Sequence, residues 1–363
     1  MKLLIFHPIV APYRIDFFNA LAAHYDTEIY LYWRNLKDQT FNYADIESQF
    51  TFKPKYLIRN ELGTCRWLKR LWRVLSSQKP NVVVVNEFGL VTILTLLHRI
   101  VTKAKYKIVS MTDDSYNMLA DNNHFTGRHK KAINILAPRI DNFINVEPLS
   151  TKWYHEHFGK GIYFPIIVDD QKALRRYKRV LPVSEEYVRT YSLVGKKILL
   201  FVGRLVQLKN IQLVIRAFSK IADPNIRFIV VGSGELEKEL KRIASPDGRI
   251  IFVGRKEGDE LYAWYNVANI FVLASYQESF GAVTNEALLG GCRCLISKNA
   301  GSRCLINEGD NGQIFDPYDV EDLKNKMEQE LANANTLNLP LKSRESLMRV
   351  HFKDLMKNLI EHL

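Results

Sequence analysis

The chain has 363 residues, of which 47% are apolar and 25% charged, and carries a formal net charge of +12. This length exceeds what one hydrophobic core usually serves, so two domains of similar size are expected, and the ordinary composition without low-complexity tracts excludes a disordered or fibrous protein. The apolar runs are strand-sized and too short for a membrane-spanning helix, while the positive charge favours nucleic acid, anionic lipid or a phosphorylated substrate as partner.

The opening Met1-Lys2-Leu3-Leu4-Ile5-Phe6 meets His7 and Pro8 without a signal-peptide core or a small-residue cleavage site, and reads as a first strand over 2–6. Further strands are expected at 27–32, 55–58, 81–85, 107–110, 142–145 and 163–167, with helical stretches in most of the gaps. Short β-branched runs alternating with amphipathic stretches predict an α/β protein with parallel sheets covered by helices. Charge-rich residues 171–195 lack a strand pattern and are expected to link a domain at 1–170 to a second at 196–342. The second domain has expected strands at 197–202, 227–231, 249–253, 270–273 and 293–296. Over 343–363, Leu347, Val350, Leu355, Leu359 and Ile360 recur at helical spacing, predicting a terminal helix that either caps the second domain or crosses back onto the first.

Residues 66–75 form an amphipathic pattern, with Trp67, Leu68, Leu71, Trp72 and Leu75 on one side and Arg66, Lys69, Arg70 and Arg73 on the other. The apolar side is expected to pack on the first sheet, and the basic side would also suit an anionic membrane surface. Nucleic acid is not an expected partner, because the chain has no recognition helix, RNP-like strand or zinc module. The four cysteines, Cys65, Cys292, Cys294 and Cys304, are too few and too uneven for a disulfide framework, which fits a reducing cytoplasm. Cys292 and Cys294 have no further residue at metal-ligand spacing.

The residues that carry chemistry lie mostly in the second half. After the strand ending at Val202 come Gly203, Arg204 and then Lys209-Asn210 at the start of an amphipathic helix. A glycine admits close backbone approach, and two cations with a helix N-terminus past a strand's carboxyl end suit a phosphate. Gly232-Ser233-Gly234 is not a dinucleotide fingerprint, since Glu237 stands where the third glycine belongs, and reads as a tight strand-to-helix turn. The sharpest signal is Glu278-Ser279-Phe280-Gly281-Ala282-Val283-Thr284-Asn285-Glu286, two carboxylates eight residues apart around a helix expected to begin near Phe280. One carboxylate suits sugar hydroxyls, the other a ribose diol, and the amides between them a phosphate.

Taken in order, Tyr13-Arg14, Gly203-Arg204 with Lys209-Asn210, Val231-Gly232-Ser233-Gly234, Val253-Gly254, Glu278 to Glu286, and Asn311-Gly312 before Phe315-Asp316-Pro317 resemble the group-one, or family-four, retaining glycosyltransferases. The resemblance is specific in the second half and loose in the first. It implies the GT-B fold, two Rossmann-like domains facing across a cleft, and transfer of a sugar from a UDP- or GDP-sugar to a glycan or lipid-linked glycan, in bacterial surface polysaccharide synthesis. On this likeness Arg204 and Lys209 neutralise the diphosphate and Glu278 contacts the donor sugar. Glu286 holds the ribose, and Gly203, Ser279, Phe280, Gly281 and Thr284 line the phosphates. Gly254-Arg255 lies near the base, and Arg14 reaches the cleft from the first domain. No Asp-x-Asp motif is present, which fits metal-independent chemistry with no cofactor beyond the donor. Many relatives carry a histidine where this chain has Met111-Thr112-Asp113-Asp114, so Asp113 is the candidate replacement; the opening loop 8–12 lacks the glycine pair some relatives use. The implied location is cytoplasmic, including the inner face of the membrane. A GT-B sugar-nucleotide epimerase or a non-catalytic nucleotide-sugar-binding protein is the alternative.

Overall fold

The computed structural model describes residues 1–35, 41–58, 65–120 and 127–363. The first half runs β1 (Lys2–His7), α1 (Ile15–His24), β2 (Asp26–Leu31), α2 (Tyr43–Ser48), β3 (Lys55–Tyr56), α3 (Arg66–Gln78) and β4 (Val82–Asn86). It continues through α4 (Leu90–Thr102), β5 (Lys107–Thr112), α5 (Tyr116–Ala120), α6 (Gly127–Leu136), β6 (Asn142–Asn145), α7 (Pro148–Phe158) and β7 (Ile162–Tyr163). The second half opens with α8 (Asp170–Arg179), α9 (Leu181–Thr190), β8 (Lys197–Val202), α10 (Ile211–Ser219), β9 (Ile226–Val231), α11 (Glu237–Ala244) and β10 (Ile250–Gly254). It closes with α12 (Gly258–Val267), β11 (Ile270–Leu273), α13 (Val283–Leu289), β12 (Arg293–Ser297), β13 (Gly312–Phe315), α14 (Val320–Asn333) and α15 (Phe352–His362).

The chain divides into two compact units, Met1–Val168 with Lys353–Leu363, and Asp169–Phe352. Each is built on a parallel sheet, ordered β3-β2-β1-β4-β5-β6-β7 in the first unit and β10-β9-β8-β11-β12-β13 in the second. The central strands are covered on both faces, which is why they read as unbroken apolar runs such as Val82-Val83-Val84-Val85 and Ile198-Leu199-Leu200-Phe201, all buried. In both sheets the strand order reverses once, between β1 and β4 and between β8 and β11. Ligands of open α/β sheets bind outside the carboxyl ends at such a reversal.

Residues 171–195, expected as a linker, instead fold into α8 and α9 of the second unit. Their apolar positions are carried by Ala173, Tyr177, Val180 and Val188 among many charges, so the segment lacks the aliphatic density of a core helix. Tyr187 stacks on the fully buried Trp264 of α12 with ring centroids 4.6 Å apart, a contact worth about 1 kcal/mol beyond its area. Arg176 and Arg179 both pair with Asp259. The terminal helix is also shorter than expected: residues 343–351 are irregular, with Arg344 donating to Ala268 O at 2.5 Å and Gly290 O at 2.6 Å. Arg344 thus spends its donors on carbonyls that the ends of α12 and α13 leave open. Of the two placements left open, α15 takes the first unit, where the Tyr25 hydroxyl donates to Ile360 O at 3.0 Å and Met356 and Leu359 are buried.

Candidate functional site

At the reversal of the second sheet, the loop after β8 carries Gly203, Arg204 and Lys209, and the loop after β11 carries Glu278. The loops are stitched to one another: Tyr276 N donates to Leu208 O at 3.0 Å, and Asn210, in a left-handed conformation at φ 53°, donates from its side chain to Pro317 O at 2.8 Å. Lys209 forms a hydrogen-bonded ion pair with Glu278, and both side chains are largely buried, at 15% and 19% exposure. The Ser275 hydroxyl adds a contact to the same carboxylate oxygen at 3.3 Å. Arg204 is exposed on the same loop. The structure therefore joins two of the expected donor-site residues, Lys209 and Glu278, which neutralise each other, and keeps Arg204 on the loop that carries Lys209.

Gly232-Ser233-Gly234 serves the crossing of two loops. Gly203 N donates to Val231 O at 3.0 Å and Leu205 N to Ser233 O at 2.9 Å, and a Cβ at Gly232 would lie 1.9 Å from Gly203 O. Only glycine fits there.

The helix bearing Glu286 starts at Val283, not near Phe280. Gly281 has φ 97°, and a Cβ there would sit 2.6 Å from Leu273 Cδ2, so the chain turns on this glycine before the helix begins. Glu286 is then the fourth residue of α13. Phe280 is buried in the core, and Thr284 is buried with its hydroxyl 2.8 Å from that of Ser302. Their side chains are thus committed internally, and Ser279 is partly exposed beside them.

Glu286 Oε2 accepts a hydrogen bond from the Tyr265 hydroxyl at 2.9 Å, and the Tyr177 hydroxyl donates to its carbonyl at 2.6 Å. Burial pushes the Glu286 carboxyl up to about 7, against the downward pull of Tyr265 and of the Arg176 charge. Arg176 is stacked over Tyr262 at 4.1 Å and held by Asp259 at 2.7 Å. Of these supports, Tyr177 and Arg176 come from α8, which read as a linker in sequence, and Tyr265 comes from α12. Gly254 ends β10 at φ 73°, and the exposed Arg255 pairs with Glu257.

The first unit places a different set at its own reversal. His7 ends β1, Arg14 follows it, Glu87 follows β4, and Asp113 and Asp114 follow β5. The buried Arg14 donates to Asp113 at 2.5 Å, so these two expected residues meet. Asp114 is buried and accepts from the Tyr154 hydroxyl at 2.9 Å; burial, with the Asp113 charge, raises its carboxyl to about 6. Glu87 is pushed up to about 7 by burial and by the charges of Asp114 and Asp113. It stands at φ 50°, a strained conformation for a side-chain-bearing residue, and its carbonyl accepts from Ser110 at 2.8 Å and Thr92 at 2.9 Å. Burial and the Arg14 charge lower His7 to about 4. Among the described residues, His7 Nε2 and Ser115 Oγ are buried without a hydrogen-bond partner. Sequence reading found Arg14 and Asp113 but not His7, Glu87 or Asp114, each contributed singly by a different loop or masked by its neighbour. Among the described residues no group of three His, Cys, Asp or Glu is arranged to hold a metal ion.

Residues 184–346 match the family model described as glycosyl transferases group 1. An uncharacterised glycosyltransferase of Methanocaldococcus jannaschii is 34% identical over 121 residues, 32% of this chain and 31% of that protein. The chain spans about a third of the length of such curated relatives. Among solved structures, Anabaena HepE in complex with UDP superimposes with a TM-score of 0.75 over 100% of this chain and 99% of its own, at 14% identity. The apo lipopolysaccharide outer core galactosyltransferase WaaB gives a TM-score of 0.70 over 100% of both chains, also at 14%. At such identities the likeness is one of fold. The chain therefore has the GT-B fold, and its residues 184–346 match the group 1 glycosyl transferases.

Proposed function

We propose that this protein is a retaining, metal-independent glycosyltransferase that moves a sugar from a UDP- or GDP-sugar to a glycan or lipid-linked glycan acceptor. The observation that carries the reading is the Lys209–Glu278 pair, with Arg204 on the loop that carries Lys209, at the strand reversal of a unit that matches group 1 glycosyl transferases. UDP in the HepE complex supports a nucleotide donor, and the outer core galactosyltransferase supports a surface-polysaccharide role.

As the bond from the sugar's anomeric carbon to the diphosphate breaks, negative charge grows on the leaving oxygen. Arg204 and Lys209 stabilise it as fixed cations. Glu278 orients Lys209 and accepts from donor-sugar hydroxyls with its remaining lone pairs. Glu286 accepts from the ribose diol, and Gly254-Arg255 lies toward the base. The acceptor is held at the first unit's edge, where Arg14 fixes Asp113 against the incoming hydroxyl. The acceptor oxygen bonds to the anomeric carbon on the face from which the diphosphate departs and gives its proton to that leaving phosphate, so sugar configuration is retained. A lipid-linked acceptor would be met at the inner face of the membrane.

The test is incubation with UDP- and GDP-sugars and a panel of glycan and lipid-linked acceptors, with products resolved by mass spectrometry. Transfer of one hexose to an acceptor, lost in Lys209→Ala, supports the proposal. Conversion of the sugar nucleotide to an epimer, or binding without turnover, replaces it with the corresponding alternative.

A further inference from the structure

The expected amphipathic helix, α3, buries only Leu71 and Leu75 of its apolar side; Trp67, Leu68 and Trp72 remain partly exposed. Its neighbour α4 is more unusual. Leu90, Ile93, Leu97, Ile100 and Val101 are 53%, 43%, 46%, 63% and 61% exposed. At about 100° per residue they fall within an arc of roughly 100°. Val91, Thr92, Thr95, Leu96 and His98 are buried on the other face. Single exposed apolar residues are unremarkable, but five large ones in one row on one helix mark an interaction surface. A groove of about 210 Å³, lined by Leu68, Leu71, Trp72 and Leu75 of α3 and Leu94 of α4, extends the apolar surface toward α3.

The charge around this surface has one sign. Arg66, Lys69 and Arg73 are exposed on α3, and Lys103 and Lys105 follow α4. Between residues 65 and 112 the sequence holds nine lysines and arginines and a single acid, Glu87, which sits at the carboxyl edge of the sheet. An apolar row flanked by cations fits an anionic lipid surface, in which the row enters the acyl boundary and the cations meet the headgroups. A second copy of the chain fits poorly, because a two-fold contact through this face would set its lysines and arginines against their own images. With 13 residues α4 is too short to cross a bilayer, and among the described residues no helix is long and apolar enough to do so.

We propose that the α3–α4 face is a membrane-docking surface that lays the exposed row of α4 in the plane of an anionic leaflet. This inference stands apart from the transferase reading, since docking is measured without donor or acceptor.

The experiment is flotation of the full chain with vesicles of phosphatidylcholine alone and of phosphatidylcholine mixed with phosphatidylglycerol, alongside Leu97→Glu/Ile100→Glu and Lys69→Glu/Arg73→Glu variants. The wild type is expected to float with the phosphatidylglycerol vesicles and to be released by salt. The α4 variant should stay in solution at an unchanged melting temperature, because its substituted positions are already exposed. The α3 variant should bind at least tenfold more weakly, at roughly fivefold per basic residue removed. Failure of the wild type to float with either vesicle overturns the proposal. So does flotation that the α4 variant retains, or a concentration-dependent dimer that the α4 substitutions abolish while no vesicle is bound.

Discussion

At the reversal of the second sheet, Lys209 and Glu278 cancel each other's charge and Arg204 adds a cation; at the reversal of the first, Arg14 pairs with Asp113, and Asp114 and Glu87 add two further carboxyls. The two edges share one architecture, so the difference lies wholly in the loops. A cationic edge is poised for a diphosphate. Burial, reinforced by the neighbouring acidic charges, raises Glu87 and Asp114 at the acid-rich edge to about 7 and about 6, and the edge suits hydroxyl groups that donate and accept. On the proposed reading the difference in loop charge sends the donor to the second unit and the acceptor to the first, and mutations can break that assignment.

The largest effect is expected at Lys209. Lys209→Ala removes the proposed leaving-group cation and should lower the transfer rate roughly 10²- to 10³-fold at saturating donor, in steady-state kinetics on a variant whose melting curve remains cooperative. Next is Glu286→Ala, which should weaken nucleotide binding roughly ten- to hundredfold. Because its carboxyl is raised to about 7 and ribose hydroxyls prefer the ionised form, wild-type affinity should climb as pH rises through 7, and Glu286→Gln should flatten that climb. On the first edge, Asp113→Asn takes the carboxylate from the buried Arg14. With Asp113 41% exposed, solvent screens the loss to about 1 kcal/mol by urea denaturation, and nucleotide affinity should not change.

Glu87→Gln sharpens the comparison through pH. The folded carboxyl titrates near 7 against an ordinary 4.5, so its contribution to stability is present below 4.5 and lost as pH rises through 7. The wild type should therefore lose melting temperature relative to Glu87→Gln between pH 5 and pH 8. His7, lowered to about 4 from 6.5, has the opposite sign: its contribution is present above 6.5 and lost as pH falls through 4. The smallest effect is Gly254→Ala. With φ 73° and nothing within 4 Å of an added Cβ, it should cost about 1 kcal/mol of conformational strain and little else.

What could be read in the sequence follows the same division. Second-unit residues such as Gly203, Arg204, Lys209, Glu278 and Glu286 lie in two contiguous segments, so spacing alone put them at strand ends. The first edge is assembled from three places far apart in sequence, with His7 at the end of β1 and Arg14 after it, Glu87 after β4 and Asp113 after β5, and only topology brings these together. Strands β1, β2, β6, β8 and β11 matched their apolar runs closely. The short β13, Gly-Gln-Ile-Phe, lacked enough apolar length to register as a strand. Helices α8 and α9 were hidden because tyrosines among charges carry their buried face, and the start of α13 was displaced by the turn at Gly281. The apolar row of α4 was invisible for another reason: periodicity finds a helix with two apolar faces but does not say which face is covered.

The most direct test of the division is calorimetric titration of UDP and GDP into the wild type, Arg204→Ala, Glu286→Ala, Asp113→Asn and Glu87→Gln, without acceptor. Binding of one nucleotide that both second-unit variants weaken at least tenfold, and that both first-unit variants leave unchanged, is the predicted result. Nucleotide affinity lost in the first-unit variants and retained in Arg204→Ala and Glu286→Ala would contradict the assignment of the donor to the second sheet's edge.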